Sequence, residues 1–141
     1  MTIDIEWDRC DLPITESDLI VVEKFFGFSL PIDFRNALFH INGGRPFLRE
    51  FDIENRSGCV FVKLISFKDN NGSRTPITVF KNIENWLPKH LKIVPFADDP
   101  FGNFLCFSYQ ENSCPVVFLD HETSTVTKVC NTFTEFLDCL K

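Results

Sequence analysis

No apolar run in this 141-residue chain approaches the eighteen or so residues that cross a bilayer, so no membrane span is expected. The first residues, MTIDIEWDRCDLP, alternate acids where a signal peptide needs basic and then apolar residues, and the expected location is the cytoplasm. The chain has no Cys-x-x-Cys, and no two Cys or His residues lie two to four positions apart, which removes the usual zinc spacings. It also lacks GxSxG, GxGxxG and a Walker loop, leaving no sequence signal for an acyl-transfer serine, a dinucleotide or a nucleoside triphosphate. No metal, cofactor or catalytic residue is therefore expected. Nothing repeats and nothing is low in complexity, so one domain over residues 1–141 is expected.

Apolar residues make up 44% and charged residues 24%, an ordinary globular composition, but 17 of the residues are Phe. A core of rings is implied, each burying on the order of 150–250 Å². Six Cys, several inside apolar runs such as GCVFV and FLCF, read as small buried thiols in a reducing compartment.

The net charge of −6 is unevenly placed. Residues 1–34 hold eight acids (Asp4, Glu6, Asp8, Asp11, Glu16, Asp18, Glu23, Asp33) against Arg9 and Lys24, while the rest of the chain is balanced. Such a segment repels nucleic acid and steers basic partners toward itself; as a solvated face it serves solubility alone. Asp98-Asp99 and Asp120-His121-Glu122 are the other dense polar clusters. Paired acids can hold a cation and an Asp-His pair can orient a base, but DDPFGN lacks the spacing of a calcium loop and DHETS has turn composition. Both read as turns. Trp7 and Trp86 are either core or partner anchors, Trp7 being the better anchor because its neighbours are acids.

Helical periodicity begins at Thr15, where Thr15-x-x-Asp18 makes a capping pair. Leu19, Val22 and Phe25/Phe26 form the apolar stripe, and Gly27 ends the helix. Pro31 and Asp33 open a second helix with Phe34, Leu38 and Ile41 buried, and the two are expected to pack as a pair. Asn42-Gly43-Gly44 follows that stripe instead of preceding one, so it is a helix stop and not a phosphate cradle. Residues 45–57 read as an irregular charged loop, Cys59–Phe67 as one central strand, and DNNGSR as a turn or loop. Thr75-Pro76 opens a third helix with Ile77, Phe80, Ile83 and Leu87 on one side. KIVPFA, FLCFSY, CPVVFLD and TVTKV are strands separated by turns, and Thr132-x-x-Glu135 opens a closing helix with Phe133, Phe136, Leu137 and Leu140 inward. The expected class is α+β: an antiparallel meander with an N-terminal helix pair and a C-terminal helix packed on it.

In order and spacing, ITESDLIVVEKFFGFSLPIDFRNALFHINGG, IVPFADDPFGNFLCFS, VVFLDHET and FTEFL resemble the SUKH superfamily, the Smi/Knr-type group. That group includes bacterial immunity proteins against polymorphic toxins and fungal cell-wall regulators. The resemblance covers residues 14–140, with Leu30, Pro31, Asn42, Gly43 and Gly44 in one block and Pro95, Ala97, Asp98, Gly102 and Asn103 in another. It implies a non-catalytic binding module. On it rests the expectation of an immunity protein that meets a cognate toxin, a basic nuclease domain, through Asp4, Glu6, Trp7, Asp8, Asp11, Glu16 and Asp18, with Asp98 and Asp99 behind them. A regulatory adaptor of the fungal kind, with no toxin partner, is the alternative; it would be expected to carry long disordered flanks.

Overall fold

In the computed structural model, which describes residues 6–69 and 74–141, four helices surround one larger antiparallel sheet and two small ones. The elements in chain order are β1 (Trp7–Asp8), α1 (Glu16–Phe26), α2 (Ile32–Ile41), β2 (Arg45–Pro46), β3 (Glu50–Ile53), β4 (Arg56–Val60) and β5 (Lys63–Leu64). There follow α3 (Pro76–Ile83), β6 (Ile93–Asp98), β7 (Phe104–Ser108), β8 (Val116–Asp120), β9 (Thr125–Cys130) and α4 (Phe133–Asp138). The α+β class and the C-terminal meander are as the sequence implies: β5 to β9 lie in chain order, each antiparallel to the next.

The helix starts follow local chemistry. At α1 the Asp18 N–H donates to the Thr15 hydroxyl while the Thr15 N–H donates to the Asp18 carboxylate, a reciprocal cap. Thr75 and Thr78 do the same at α3. At α4 the Thr132 hydroxyl accepts from the Glu135 N–H, but the Glu135 carboxylate reaches back one residue further, to the Asn131 N–H. Gly27 ends α1 at φ 79°, a conformation that strains any residue with a Cβ.

Alternate positions along β7 and β8 feed two cores. Leu105, Phe107, Val116 and Phe118 join the helices α1, α2 and α4 on one face, while Phe104, Cys106, Val117 and Leu119 meet Val79 and Ile83 of α3 on the other. In β6 a bulge between Pro95 and Ala97 turns Phe96 and Ala97 to the same side. Phe34 is the hub of the larger core, with its ring 4.9 Å from those of Phe107 and Phe133, 5.3 Å from Phe96 and 5.5 Å from Phe67. These are the edge and tilted contacts that aromatic quadrupoles favour.

Several expectations are corrected. Residues 45–57 are not irregular: β3 and β4 form a hairpin, with β2 paired to β1 before it. Cys59–Phe67 is not one central strand. It divides into β4, which pairs with β3, and β5, the edge of the larger sheet beside β6. Its apolar character on both sides is real, because the edge is covered: the Leu64 N–H donates to the Gly44 carbonyl at 2.9 Å.

The first two helices do not pack mainly on each other. α1 lies against α3 and α2 against α4, where the Thr134 N–H and hydroxyl both donate to the Asp33 carboxylate. Phe25 is exposed, so the buried stripe of α1 is Leu19 and Val22, with Phe26 half-buried. Ile41 of α2 is likewise only half-buried. The buried face of α3 is Pro76, Val79 and Ile83; Ile77 and Phe80 are half-buried, and Leu87 lies beyond the helix end. Only Cys59 and Cys106 are fully buried thiols. Cys114 and Cys130 are intermediate, and Cys10 and Cys139 are exposed because they sit in an outer N-terminal segment and at the end of α4. Of the DNNGSR segment, residues 70–73 lie outside the described residues.

Candidate functional site

Asn42, at the end of α2, is 2% exposed and fully engaged. Its amide donates to the Leu12 carbonyl (3.1 Å) and the Ser66 hydroxyl (3.0 Å), and its carbonyl oxygen accepts from the Phe67 N–H (2.8 Å). One side chain thus ties the N-terminal segment, α2 and the chain after β5 together. Gly43 follows at φ 69°, and a Cβ there would stand 1.9 Å from Asp11 Oδ2. A Cβ on Gly44 would stand 2.9 Å from both Cys10 Sγ and the Ile41 carbonyl. Asn-Gly-Gly does stop the helix, as its position after the apolar stripe implies. It also lets the N-terminal segment lie directly on the helix end.

A groove of about 330 Å³ opens over this junction, lined by Asp11, Leu12, Lys63, Ser66, Lys68, Arg74 and Asp98, with Ile65 at its base. Three acid–base pairs surround it. Asp11 meets Lys63 at 3.5 Å, Asp18 meets Lys68 at 3.2 Å, and Asp98 meets Arg74. Lys63 also stands opposite Asp98 in the β5–β6 register, and the Arg74 guanidinium lies 5.7 Å over the Phe104 ring. Burial acts to raise the Asp18 carboxyl, but the Thr15 N–H and hydroxyl and the Lys68 ammonium outweigh it and hold it below the ordinary range.

The acids singled out in the sequence divide into groups. Asp11 and Asp98 line this groove, and Asp18 is joined to it through Lys68. Glu16 is turned to Arg35, which also meets Glu23 at 3.4 Å; the Arg35 hydrogen bond lowers the Glu16 pKa. Asp8 faces Arg45 across β1 and β2 at 3.5 Å. Glu6 is exposed and has no ion-pair partner among the described residues; Asp4 lies outside them. Trp7 is half-buried, its ring set edge-on to Phe61 at 6.3 Å. Asp99 is turned inward, 8% exposed, accepting from the Phe101 and Asn103 N–H groups and from the Asn103 amide. Most of the N-terminal acid surplus is therefore paired with bases from later in the chain.

Asp99 and His121 belong to one latch. The Asn103 side-chain oxygen, Oδ1, accepts the His121 backbone N–H at 2.9 Å and lies 2.7 Å from the His121 Nδ1, so the turn after β6 is bound to the turn after β8. Asp120 accepts from the Glu122 N–H and pairs with Arg56. Two clusters that look separate in the sequence are one brace between neighbouring hairpins.

Lys63, Ser66, Lys68 and Arg74 are site residues that sequence reasoning missed. Nothing marks them locally: a Lys in a strand becomes part of a groove only through its distant carboxylate. Among the described residues, no cluster of three or more His, Cys, Asp or Glu is placed to hold a metal ion, and no helix is long and apolar enough to cross a membrane.

Comparison with known proteins gives one family: residues 13–139 match the SMI1 / KNR4 family (SUKH-1). No curated protein matches the sequence. The matched span holds Lys63, Ile65, Ser66, Lys68, Arg74 and Asp98 of the groove lining, while Asp11 and Leu12 precede it.

Proposed function

The chain belongs to the SMI1 / KNR4 family (SUKH-1), and we propose that it is a non-catalytic immunity protein that binds and neutralises a cognate toxin in the cytoplasm. The observation that carries the reading further is the ring of three acid–base pairs about one groove. The pair Asp11–Lys63 is the more exposed of the two lysine pairs, and pairs of that kind contribute only about 0.2–1 kcal/mol, so an arriving cation displaces Lys63 from its carboxylate at little cost. Arginine suits this exchange, since its planar fork takes a carboxylate in two hydrogen bonds. A nuclease cleft is rich in such groups because it must hold phosphates. The contact set is Asp11, Asp18 and Asp98, with Glu6 and Trp7 at the margin; Asp8 and Glu16 assist encounter through their charge, and Asp99 only shapes the loop.

The experiment is to read the adjacent reading frame for a protein that ends in a basic toxin domain, co-express that domain with this chain, and follow stopped-flow association of the purified pair. Rescue of growth, with an association rate that falls as salt rises and falls again in the Asp11→Asn/Asp98→Asn variant, is the expected result. Absence of rescue by the wild-type chain defeats the immunity reading. Rescue with a salt-independent rate, unchanged in the double variant, moves the contact away from this groove.

A further inference from the structure

The face of α1 that turns away from the core is also apolar. Val21 and Phe25, four residues apart, are 57% and 42% exposed. Phe25 joins Phe26, Phe28, Phe80 and Leu91 around a hollow of about 290 Å³, closed at its end by Lys92 and Ile93. A second hollow of similar size, lined by Glu84, Leu87, Pro88 and Lys89, continues from it and shares Phe80 and Leu91. The rings are ordered: Phe25 stands edge-on to Phe26 at 5.0 Å and to Phe80 at 6.2 Å.

The rim of this trough is basic, opposite in sign to the N-terminal segment. Lys81 sits with its ammonium 5.6 Å over the Phe25 ring, Lys92 lines the first hollow and Lys89 the second. None of the three has a carboxylate partner among the described residues, whereas every base near the N-terminal acids except Arg9 and Lys24 is paired. Glu84 is the one acid lining either hollow. An apolar trough with unpartnered lysines on its rim, in a chain of net charge −6, is complementary to an apolar strip flanked by acids.

On its β7 side this end of β6 is held, with Ile93 in register with Ser108 and the Tyr109 N–H donating to the Lys92 carbonyl. The two adjoining hollows are lined by side chains from separate parts of the chain, a surface suited to side chains that enter a groove from one face of a helix. We infer that the trough formed by Phe25, Phe28, Phe80 and Leu91 is a docking site for an acidic amphipathic helix of a partner protein. Its apolar residues at i, i+3, i+4 and i+7 would fill the two hollows while its carboxylates meet Lys81, Lys89 and Lys92. This surface is separate from the groove at Asp11 and Asp98, and the inference does not rest on the toxin reading.

The test uses the full chain and a synthetic fluorescent helix with Leu at i, i+3, i+4 and i+7 in a Glu/Ala background, together with a twin carrying Lys for Glu. Binding is followed by anisotropy and mapped by amide chemical shifts. The acidic peptide is expected to bind, to shift the amides of Phe25, Phe80 and Leu91, and to lose about tenfold or more in affinity in Lys81→Glu/Lys92→Glu. Both lysines are exposed, so that variant should fold as the parent does; Phe25→Ser should weaken binding as well. Equal binding of the twin, shifts confined to other surfaces, or no binding overturns the inference. So does sedimentation showing that the trough pairs two copies of this chain, or co-flotation with anionic vesicles that is lost in Phe25→Ser.

Discussion

The side-chain amide of Asn42 donates to the hydroxyl of Ser66 at 3.0 Å, joining the end of α2 to the chain beyond β5 inside the protein. The Ser66 hydroxyl in turn accepts from the Lys68 N–H at 3.1 Å, which places Lys68 beside Asp18. Asn42→Ala leaves the buried Phe67 N–H without its acceptor, while the Leu12 carbonyl, on an exposed residue, can turn to water. With about 1–3 kcal/mol for a buried group left unpaired, a loss of about 2 kcal/mol is expected in urea unfolding. A loss under about 0.5 kcal/mol would show that water replaces the amide.

Gly27 and Gly43 both have positive φ, but only one is crowded. A Cβ at Gly27 meets nothing within 4 Å, while at Gly43 it runs into Asp11. Gly27→Ala should cost about 1 kcal/mol, from backbone strain alone, and Gly43→Ala at least about 2. In proteolysis the Gly43 variant should also be cleaved faster near Asp11, because its N-terminal segment must lift.

Asp99→Ala removes the acceptor of three donors in the turn after β6. A lower thermal midpoint is expected, corresponding to about 2–3 kcal/mol. Affinity for the proposed toxin, per folded molecule, should stay at the parent value. Weakened affinity with an unchanged midpoint would instead make Asp99 a contact residue.

Acid should destabilise the protein partly through Asp18. Its folded pKa lies below the ordinary 3.8, so its contribution is full above 3.8 and is lost as pH falls through the folded value. Between about pH 6 and pH 3 the urea midpoint should fall less in Asp18→Asn than in the parent. Equal slopes would mean that Lys68 and Thr15 do not favour the charged form.

The thiols should react in the order of their exposure. Cys139 is expected to alkylate first and Cys10 after it, since burial and then the charges of Asp11 and Asp8 raise the Cys10 pKa. Burial pushes Cys114 up to about 11 and Cys130 up to about 12, so both should lag. Cys106, also raised by burial, should label only on unfolding. Mass spectrometry of native samples alkylated for increasing times gives the order directly.

What was legible from residues alone was whatever a few neighbours decide. Thr15 with Asp18 and Thr75 with Pro76 start helices through contacts within one turn, Gly27 and Asn42-Gly43 stop them through backbone sterics, and the alternation from Ile93 to Cys130 lays out the meander. The inward residues of α4, Phe133, Phe136 and Leu137, were equally plain, since they repeat at helical spacing and are buried; Leu140, expected on the same helix, is buried but lies beyond its end.

Tertiary structure decided everything that depends on a distant partner. Periodicity put Phe25 inward, yet it is exposed, because the core meets the other side of α1 at Leu19 and Val22. Apolar composition made residues 59–67 one central strand, yet composition reports burial and not strand neighbours, and a covered edge looks the same. The acid surplus was visible by counting; its pairing with Arg35, Arg45, Lys63 and Lys68 was not. Charge is carried by single residues and is additive along a chain, whereas an ion pair is a distance, and only the fold sets distances.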